Sequence, residues 1–229
     1  MSRVLLKLSG EALSKDGKYD DGVIKGIAAQ VKNLTENGTE IGIVIGGGNY
    51  WRGRSSENID RTKADQIGML ATVMNCIYVS EIFRLSGIDT EIFTPFACSS
   101  FTNLFSKDEA LKAMKAGKAV FFAGGTGHPF FSTDTGVVLR AAETGADAIY
   151  LAKAVDGVYD SDPKTNPDAV KYDEISIDDV ISGNLQVVDM TASILARDRK
   201  IPMFVFDLTE KDSIIKAVSG DFSGTKITV

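Results

Sequence analysis

Short apolar runs alternate with stretches of helical period along the whole of this chain. Residues 3–8 and 41–45 read as buried strands, each bounded by turn residues. Asp21 is placed to cap a helix running to Asn37, with Gly38 as its stop. Thr62, followed three residues later by Asp65, has the form of a capping box and opens a long helix that ends at Gly87. Within it Ile67, Leu70, Met74, Ile77 and Phe83 recur at helical spacing, a stripe that the pattern assigns to the core. A strand at 91–94 is ended by Pro95, Ser106 with Glu109 caps a helix that stops at Gly117, and a strand follows at 119–123. Thr133 or Asp134 then starts a helix closed by Gly145.

The second half continues in the same way. A strand is expected at 148–152, a hairpin around 155–159, and a loop rich in Asp, Pro and Asn at 160–168. After a brief extended pair at Lys171 and Tyr172, helices are expected near 177–182 and 191–199. A strand at 203–206, a helix near 211–219 and a strand at 225–229 complete the chain. Repeated strand and helix order specifies an α/β protein, a three-layer αβα sandwich on a mainly parallel central sheet.

The length of 229 residues, with 44% hydrophobic and 24% charged content, is enough for one substantial core, and no linker or repeat divides it. The formal charge of −6 argues against a general nucleic-acid or acidic-membrane binder, so an anionic ligand must be met by local charge. Neither a targeting segment nor a long apolar span is read, since the N-terminus enters directly a strand containing Lys7. Cys76 and Cys98 match no metal or redox spacing and read as reduced, buried thiols of a cytoplasmic protein.

Three glycine-rich loops carry the candidate chemistry: KLSG at 7–10, GGGNYWRG at 46–53 and AGGTGHPFFSTD at 123–134. Each follows an expected strand, and in a parallel sheet the carboxyl ends of strands line one crevice. Glycine admits close backbone approach, while Lys7 and Arg52 supply charge for phosphate. Ser132 and Thr133 stand beside a helix N-terminus, whose free amides form a second phosphate cradle. Two cradles imply a donor and an acceptor. The spacing is neither GxxxxGK[ST] nor GxGxxG, and each glycine loop alone also serves as an ordinary tight turn. His128 is the single histidine, which leaves little support for a catalytic triad or a histidine metal site. Asp156, Asp160 and Asp162 lack the glycine and distal glutamate of a calcium loop and read as an ordered turn.

The segments KLSGEAL (7–13), VIGGGNYWRG (44–53), ADQIGMLATVMN (64–75), TGHPFFSTD (126–134), VDGVYDSDP (155–163) and VVDMTASILARD (187–198) carry a close likeness. With them the chain resembles the bacterial uridylate (UMP) kinases of the amino acid kinase superfamily over essentially its whole length. The resemblance implies transfer of the ATP γ-phosphate to UMP within one domain, an acceptor lobe at about 1–145 and an ATP lobe at about 146–229. It implies that Lys7, Leu8, Ser9, Gly10, Gly48, Arg52 and Lys153 contact ATP or the transferring phosphates, and that Tyr159 and Asp162 lie against the adenosine. Gly47, Asp65 and the loop of Thr126, Gly127, His128, Pro129, Phe130, Phe131, Ser132 and Thr133 would hold UMP, and Asp189 would orient Lys7. Magnesium would be held by phosphate oxygens and water, with no protein ligand named, and a homohexamer is implied, with the helix at 63–86 as an interface candidate. Lys153-Ala154 depart from the Thr-Lys or Asn-Asn pair usual in that family, which puts one ATP contact in question. Two alternatives stand beside this reading: a kinase of the same superfamily that makes an acyl phosphate, and a non-catalytic nucleotide-sensing subunit.

Overall fold

The computed structural model describes residues 2–51, 58–163, 165–185 and 187–229. The first half runs β1 (Arg3–Leu8), a 3-10 turn (Glu11–Leu13), the small hairpin β2 (Ser14–Lys15) and β3 (Lys18–Tyr19), α1 (Asp21–Glu36) and β4 (Glu40–Ile45). It continues with α2 (Arg61–Leu85), β5 (Thr90–Thr94), β6 (Asn103–Leu104), α3 (Lys107–Lys115), β7 (Ala119–Phe122) and α4 (Thr133–Thr144). The second half contributes β8 (Ala148–Lys153), β9 (Val158–Tyr159), β10 (Lys171–Tyr172), β11 (Glu174–Ser176) and α5 (Ile177–Ser182). Last come α6 (Met190–Arg199), β12 (Met203–Asp207), α7 (Ser213–Ser219) and β13 (Thr225–Thr228).

Among the described residues nine strands form the central sheet in the order β11-β13-β12-β8-β1-β4-β7-β5-β6. The pairs from β12 through β6 are all parallel, and β13 alone pairs antiparallel with its neighbour β12. Side chains alternate between the two faces, so each face carries its own core. Val4, Leu6 and Leu8 of β1 pack with α1, α2 and α7, while Leu5 packs with α3, α4, α5 and α6. The result is the three-layer αβα sandwich expected from the alternation. From β1 the chain passes to β4 on one side, and after β7 it crosses to β8 on the other. The strand order therefore reverses beside β1, and the crevice opens at the carboxyl ends there.

Several local expectations change. The cap of α1 is Asp20, whose carboxylate accepts from the Gly22 and Val23 amides. The long helix α2 begins at Arg61 under an Asp60 cap, which accepts from Lys63 N, so Thr62 and Asp65 form no capping box. An aspartate two residues earlier is the better cap because its carboxylate reaches the free Lys63 amide directly. Helical spacing marks a stripe but not its orientation. Ile67, Leu70, Met74 and Ile77 turn out to be exposed, with Leu70 and Met74 each about half so, whereas Phe83 is fully buried. The inward face is built instead from Ala71, Thr72, Asn75, Cys76, Val79 and Phe83. By length and hydropathy α2 is also long and apolar enough to cross a membrane, contrary to the reading of no long apolar span, although ten of its residues are buried in the fold. The expected hairpin at 155–159 is wider than anticipated: β9 pairs with β10 and the loop between them is the connection.

Cys76 is fully buried and Cys98 partly so, and both are free. Burial pushes the Cys76 thiol up to about 12, so it stays protonated and inert at neutral pH.

Candidate functional site

The loops after β1 and β4 cross at the centre of the crevice. Gly46 N donates to the Leu8 carbonyl at 2.9 Å, and Asn75, buried in α2, donates to the Gly46 carbonyl at 2.7 Å. Asn75 also joins Asn49 (2.8 Å) and accepts from the Tyr19 hydroxyl (2.8 Å), so a polar network pins the triple-glycine loop to a helix. A buried amide is tolerated only when its donors and acceptors are met, which explains an asparagine on the buried face of α2. Leu8, expected among the ATP contacts, instead buries its side chain in the core and commits its carbonyl to Gly46. Strand alternation dictates this, because Leu8 faces opposite to Lys7. Ser9, Gly10 and Gly48 lie in the crossing loops, with Gly10 buried.

Lys7 projects from β1 onto Asp134 in the first turn of α4, Nζ to Oδ1 2.9 Å, with 12% and 17% of the side chains exposed. Asp189, expected to orient Lys7, does something else. It caps α6 by accepting from Ala192 N at 2.9 Å, accepts from the Thr135 hydroxyl at 3.0 Å, and takes a short hydrogen bond from the Ser132 hydroxyl. The carboxylate thus ties the start of α6 to the start of α4, and the partner of Lys7 is Asp134. The sequence did show Asp134 as a first-turn residue, but only the packing of α4 under β1 makes it a neighbour of Lys7.

A cavity of about 450 Å3, which reaches Thr133 next to Asp134 in the chain, is lined among others by Gly47, Asp65, Thr126, His128, Phe131, Ser132 and Thr133 together with Trp51, Arg61, Met69 and Thr72. Of these residues, all but the last four were read from the sequence. Asp65 is held in place from two directions. Arg61 Nε donates to both its oxygens at 3.0 and 2.9 Å, and the Phe130 amide donates to Oδ2 at 2.8 Å. To present that amide Phe130 takes a left-handed backbone, φ 72°. A bulky residue in that region is strained, and such strain gathers at binding loops. Its ring stands 5.7 Å from the Arg61 guanidinium. Gly124, Gly125 and Gly127 also have positive φ, and Gly124 N donates to Thr72 Oγ1 at 2.8 Å, so the glycine-rich loop is a defined turn docked on α2. Arg61, Met69 and Thr72 escaped sequence reading because they reach the cavity one and two turns along α2 from Asp65, a placement visible once the helix face is known. Gly127, Pro129 and Phe130 belong to the same turn.

A second cavity, also about 450 Å3, is lined by Lys153, Val155, Gly157, Val158, Tyr159, Asp162, Asn184, Leu185 and Val187, among others, and Lys153 is within electrostatic reach of Asp134 and Lys7. The Tyr159 hydroxyl donates to Asp156 at 2.7 Å, and that bond holds the phenol above its usual range. Burial works against the Asp156 carboxylate, yet the hydrogen bonds from Tyr159 and from Lys171 (3.0 Å) prevail and keep it low. Asp160 accepts from Val170 N, and the Asp162 carbonyl accepts from Thr165 N and Asn166 N, so these aspartates order the turn as the sequence suggested. Arg52 lies outside the described residues.

The amino acid kinase family matches residues 2–207 of this chain. Among solved structures, a UMP kinase from Bacillus anthracis superimposes with a TM-score of 0.95 at 36% identity, covering 99% of this chain and 96% of that one. A UMP kinase from Ureaplasma parvum gives 0.94 at 32% identity, covering 100% and 99%. A uridylate kinase from Archaeoglobus fulgidus is more distant, 0.75 at 26% identity, with 98% and 99% covered.

Proposed function

The chain belongs to the amino acid kinase family, and we propose that it is a UMP kinase of that family, moving the γ-phosphate of ATP onto the phosphate of UMP to give UDP and ADP. The observation that carries this reading is a pair of cavities, one with Asp65 and the glycine-rich turn up to Thr133, the other with Lys153, Tyr159 and Asp162, together with the ion pair of Lys7 and Asp134, in which Asp134 follows Thr133 in the chain and which is within electrostatic reach of Lys153. The first is the acceptor side, in the lobe at about 1–145, and the second the ATP side, in the lobe at about 146–229. Asp65 is supported as a ribose acceptor because its two oxygens offer more lone pairs than Arg61 and the Phe130 amide occupy. An acyl-phosphate-forming kinase has no use for that carboxylate beside a nucleotide-sized cavity.

The chemistry needs no general base. A phosphate monoester has a second pKa of about 6, so the UMP oxygen is already an anionic nucleophile at neutral pH. The obstacle is charge repulsion. Lys7, the N-terminus of α4 with the Ser132 and Thr133 hydroxyls, and the crossing glycine loops hold the two phosphates in line and offset their charge. Among the described residues no group of three or more His, Cys, Asp or Glu stands together. The Mg²⁺ that accompanies ATP would be held by phosphate oxygens and water and would supply further charge neutralisation.

Asp65→Asn tests the acceptor side. Loss of the charge at this doubly bonded carboxylate is expected to raise the KM for UMP by roughly tenfold and to leave the KM for ATP unchanged. Steady-state kinetics with each nucleotide varied in turn give the answer, and an unchanged UMP KM contradicts the assignment. We also read the exposed stripe of Ile67, Leu70, Met74 and Ile77 as the contact between copies of this chain in a homohexamer, since one helix face this apolar is rarely left to water. Leu70→Glu with Met74→Glu is expected to reduce the mass seen by light scattering toward the monomer, and an unaltered assembly would place the interface elsewhere. The buried Cys76 thiol and the partly buried free Cys98 support a reducing cytoplasm as the location.

A further inference from the structure

Asn75, fully buried in α2, has every hydrogen-bonding position of its side chain filled. Its nitrogen donates to the Gly46 carbonyl at 2.7 Å and to Asn49 Oδ1 at 2.8 Å. Its oxygen accepts from Asn49 Nδ2 at 3.1 Å and from the Tyr19 hydroxyl at 2.8 Å. Because the Gly46 oxygen can only accept, the nitrogen side of the amide has to face it. Asn49 carries the connection onward: its Nδ2 also donates to Ser14 Oγ at 3.2 Å, and Ser14 Oγ donates to the Gly10 carbonyl at 3.3 Å. One buried amide is therefore linked to carbonyls of both crossing glycine loops.

The consequence lies in the plane of a peptide. A trans peptide unit is planar, so its N–H points opposite to its C=O. With the Gly46 carbonyl held against the buried face of α2, the Gly47 N–H of the same peptide is turned away from Asn75. Gly47 lines the acceptor cavity. Its backbone has no slack on the helix side, since a Cβ there would meet the Gly68 carbonyl at 2.8 Å and Ala71 Cβ at 3.1 Å. Packing on α2 thus fixes where the loop lies, and Asn75 fixes which way its peptide faces.

We propose that Asn75 is a positioning residue which, by holding the Gly46 carbonyl, presents the Gly47 N–H to a phosphate oxygen of the acceptor nucleotide. The inference rests on the UMP kinase reading above and deepens it. Without that hydrogen bond the Gly46-Gly47 peptide is free to rotate, and a rotated carbonyl would set its partial negative charge against the phosphate instead of the N–H. Tyr19 acts one bond further out. Its ring is stacked on Tyr78, with centroids 3.9 Å apart, so packing aims the hydroxyl at Asn75.

The test uses Asn75→Asp, which keeps the shape of the side chain but puts a second acceptor where the donor to Gly46 stood. Titration calorimetry of the full chain with UMP and with uridine separates phosphate binding from the rest of the cavity. UMP is expected to bind about 10-fold more weakly and uridine as in wild type, with kcat lower by roughly 10-fold to 100-fold. Tyr19→Phe keeps the stacking and the Gly46 bond, and is expected to change UMP affinity by about twofold at most. Val79→Ala, which removes buried volume from the same helix, is the control: it lowers the melting temperature and leaves UMP affinity unchanged. Should Asn75→Asp fold poorly, Asn75→Ser, uncharged and too short to reach Gly46, is read by the same criteria. Unchanged UMP affinity in the Asn75 variant overturns the proposal. An equal loss for UMP and uridine does so too, since it would make Asn75 a structural residue only. Wild-type protein that binds UMP yet transfers no phosphate to it would retire the kinase reading, while the comparison of UMP with uridine would still decide this one.

Discussion

Replacing Lys7 by alanine is expected to lower kcat by about 100-fold or more while the chain keeps its fold. The ammonium is ion-paired with Asp134 in the first turn of α4, next to Ser132 and Thr133 of the acceptor cavity, and on the kinase reading it meets the transferring phosphate. In-line phosphoryl transfer asks the protein for positioned positive charge and little else, so removal of that charge acts on the transition state directly. The cost to stability is held down by the surroundings of Asp134. Its carboxylate lies in the first turn of α4, where the helix dipole favours an anion, and Lys153 remains within electrostatic range. A melting temperature near that of wild type together with the loss of turnover is the predicted pattern. Wild-type kcat in the variant would remove Lys7 from the mechanism.

Gly10→Ala is the second large effect, and its cause is space. A Cβ at this position would lie 2.3 Å from the Gly46 carbonyl oxygen, 2.5 Å from Asn49 Oδ1 and 3.0 Å from Asn75 Nδ2. The Gly46 carbonyl has no freedom to retreat, since Asn75 binds it while the Gly46 amide is tied to Leu8. One methyl group therefore forces the two phosphate loops apart. A loss of about 1–3 kcal/mol in stability is expected from overpacking, with a fall in activity of about 100-fold from misplaced reacting groups. Gly26→Ala in α1, where an added Cβ meets nothing within 4 Å, is the control and should be neutral or slightly stabilising. Denaturant melts and kcat measured on both variants separate the two contributions. A Gly10→Ala protein as stable and active as wild type would mean that the loops do not need to cross so closely.

These effects also mark how far the sequence could be read. The alternation of strand and helix, with Gly38, Gly87, Gly117 and Gly145 ending the helices, carries the layered architecture because backbone propensity and burial agree there. The three glycine loops announced the crevice for the same reason. What stayed hidden depends on packing between distant segments. The stripe on α2 has helical spacing whether it faces core or solvent, so spacing alone points Leu70 and Met74 inward although both are exposed. Asp134 and Asp189 each look like cap or first-turn residues in sequence, and which of them meets Lys7 is decided by how α4 and α6 seat on the sheet. The motif points Leu8 to ATP, whereas strand alternation turns its side chain into the core. The network of Asn75, Tyr19 and Asn49 is spread over residues 19, 49 and 75 and has no local signature.

The central claim is that one crevice joins ATP to UMP. It is tested most directly by ADP formation from Mg-ATP with UMP, CMP, dTMP, aspartate, acetylglutamate or carbamate as the acceptor at equal concentration. The account predicts turnover with UMP and none with the carboxylates or carbamate. Turnover only with a carboxylate or carbamate would keep the fold and contradict the acceptor site around Asp65, and tight nucleotide binding with no transfer to any acceptor would contradict the enzyme itself.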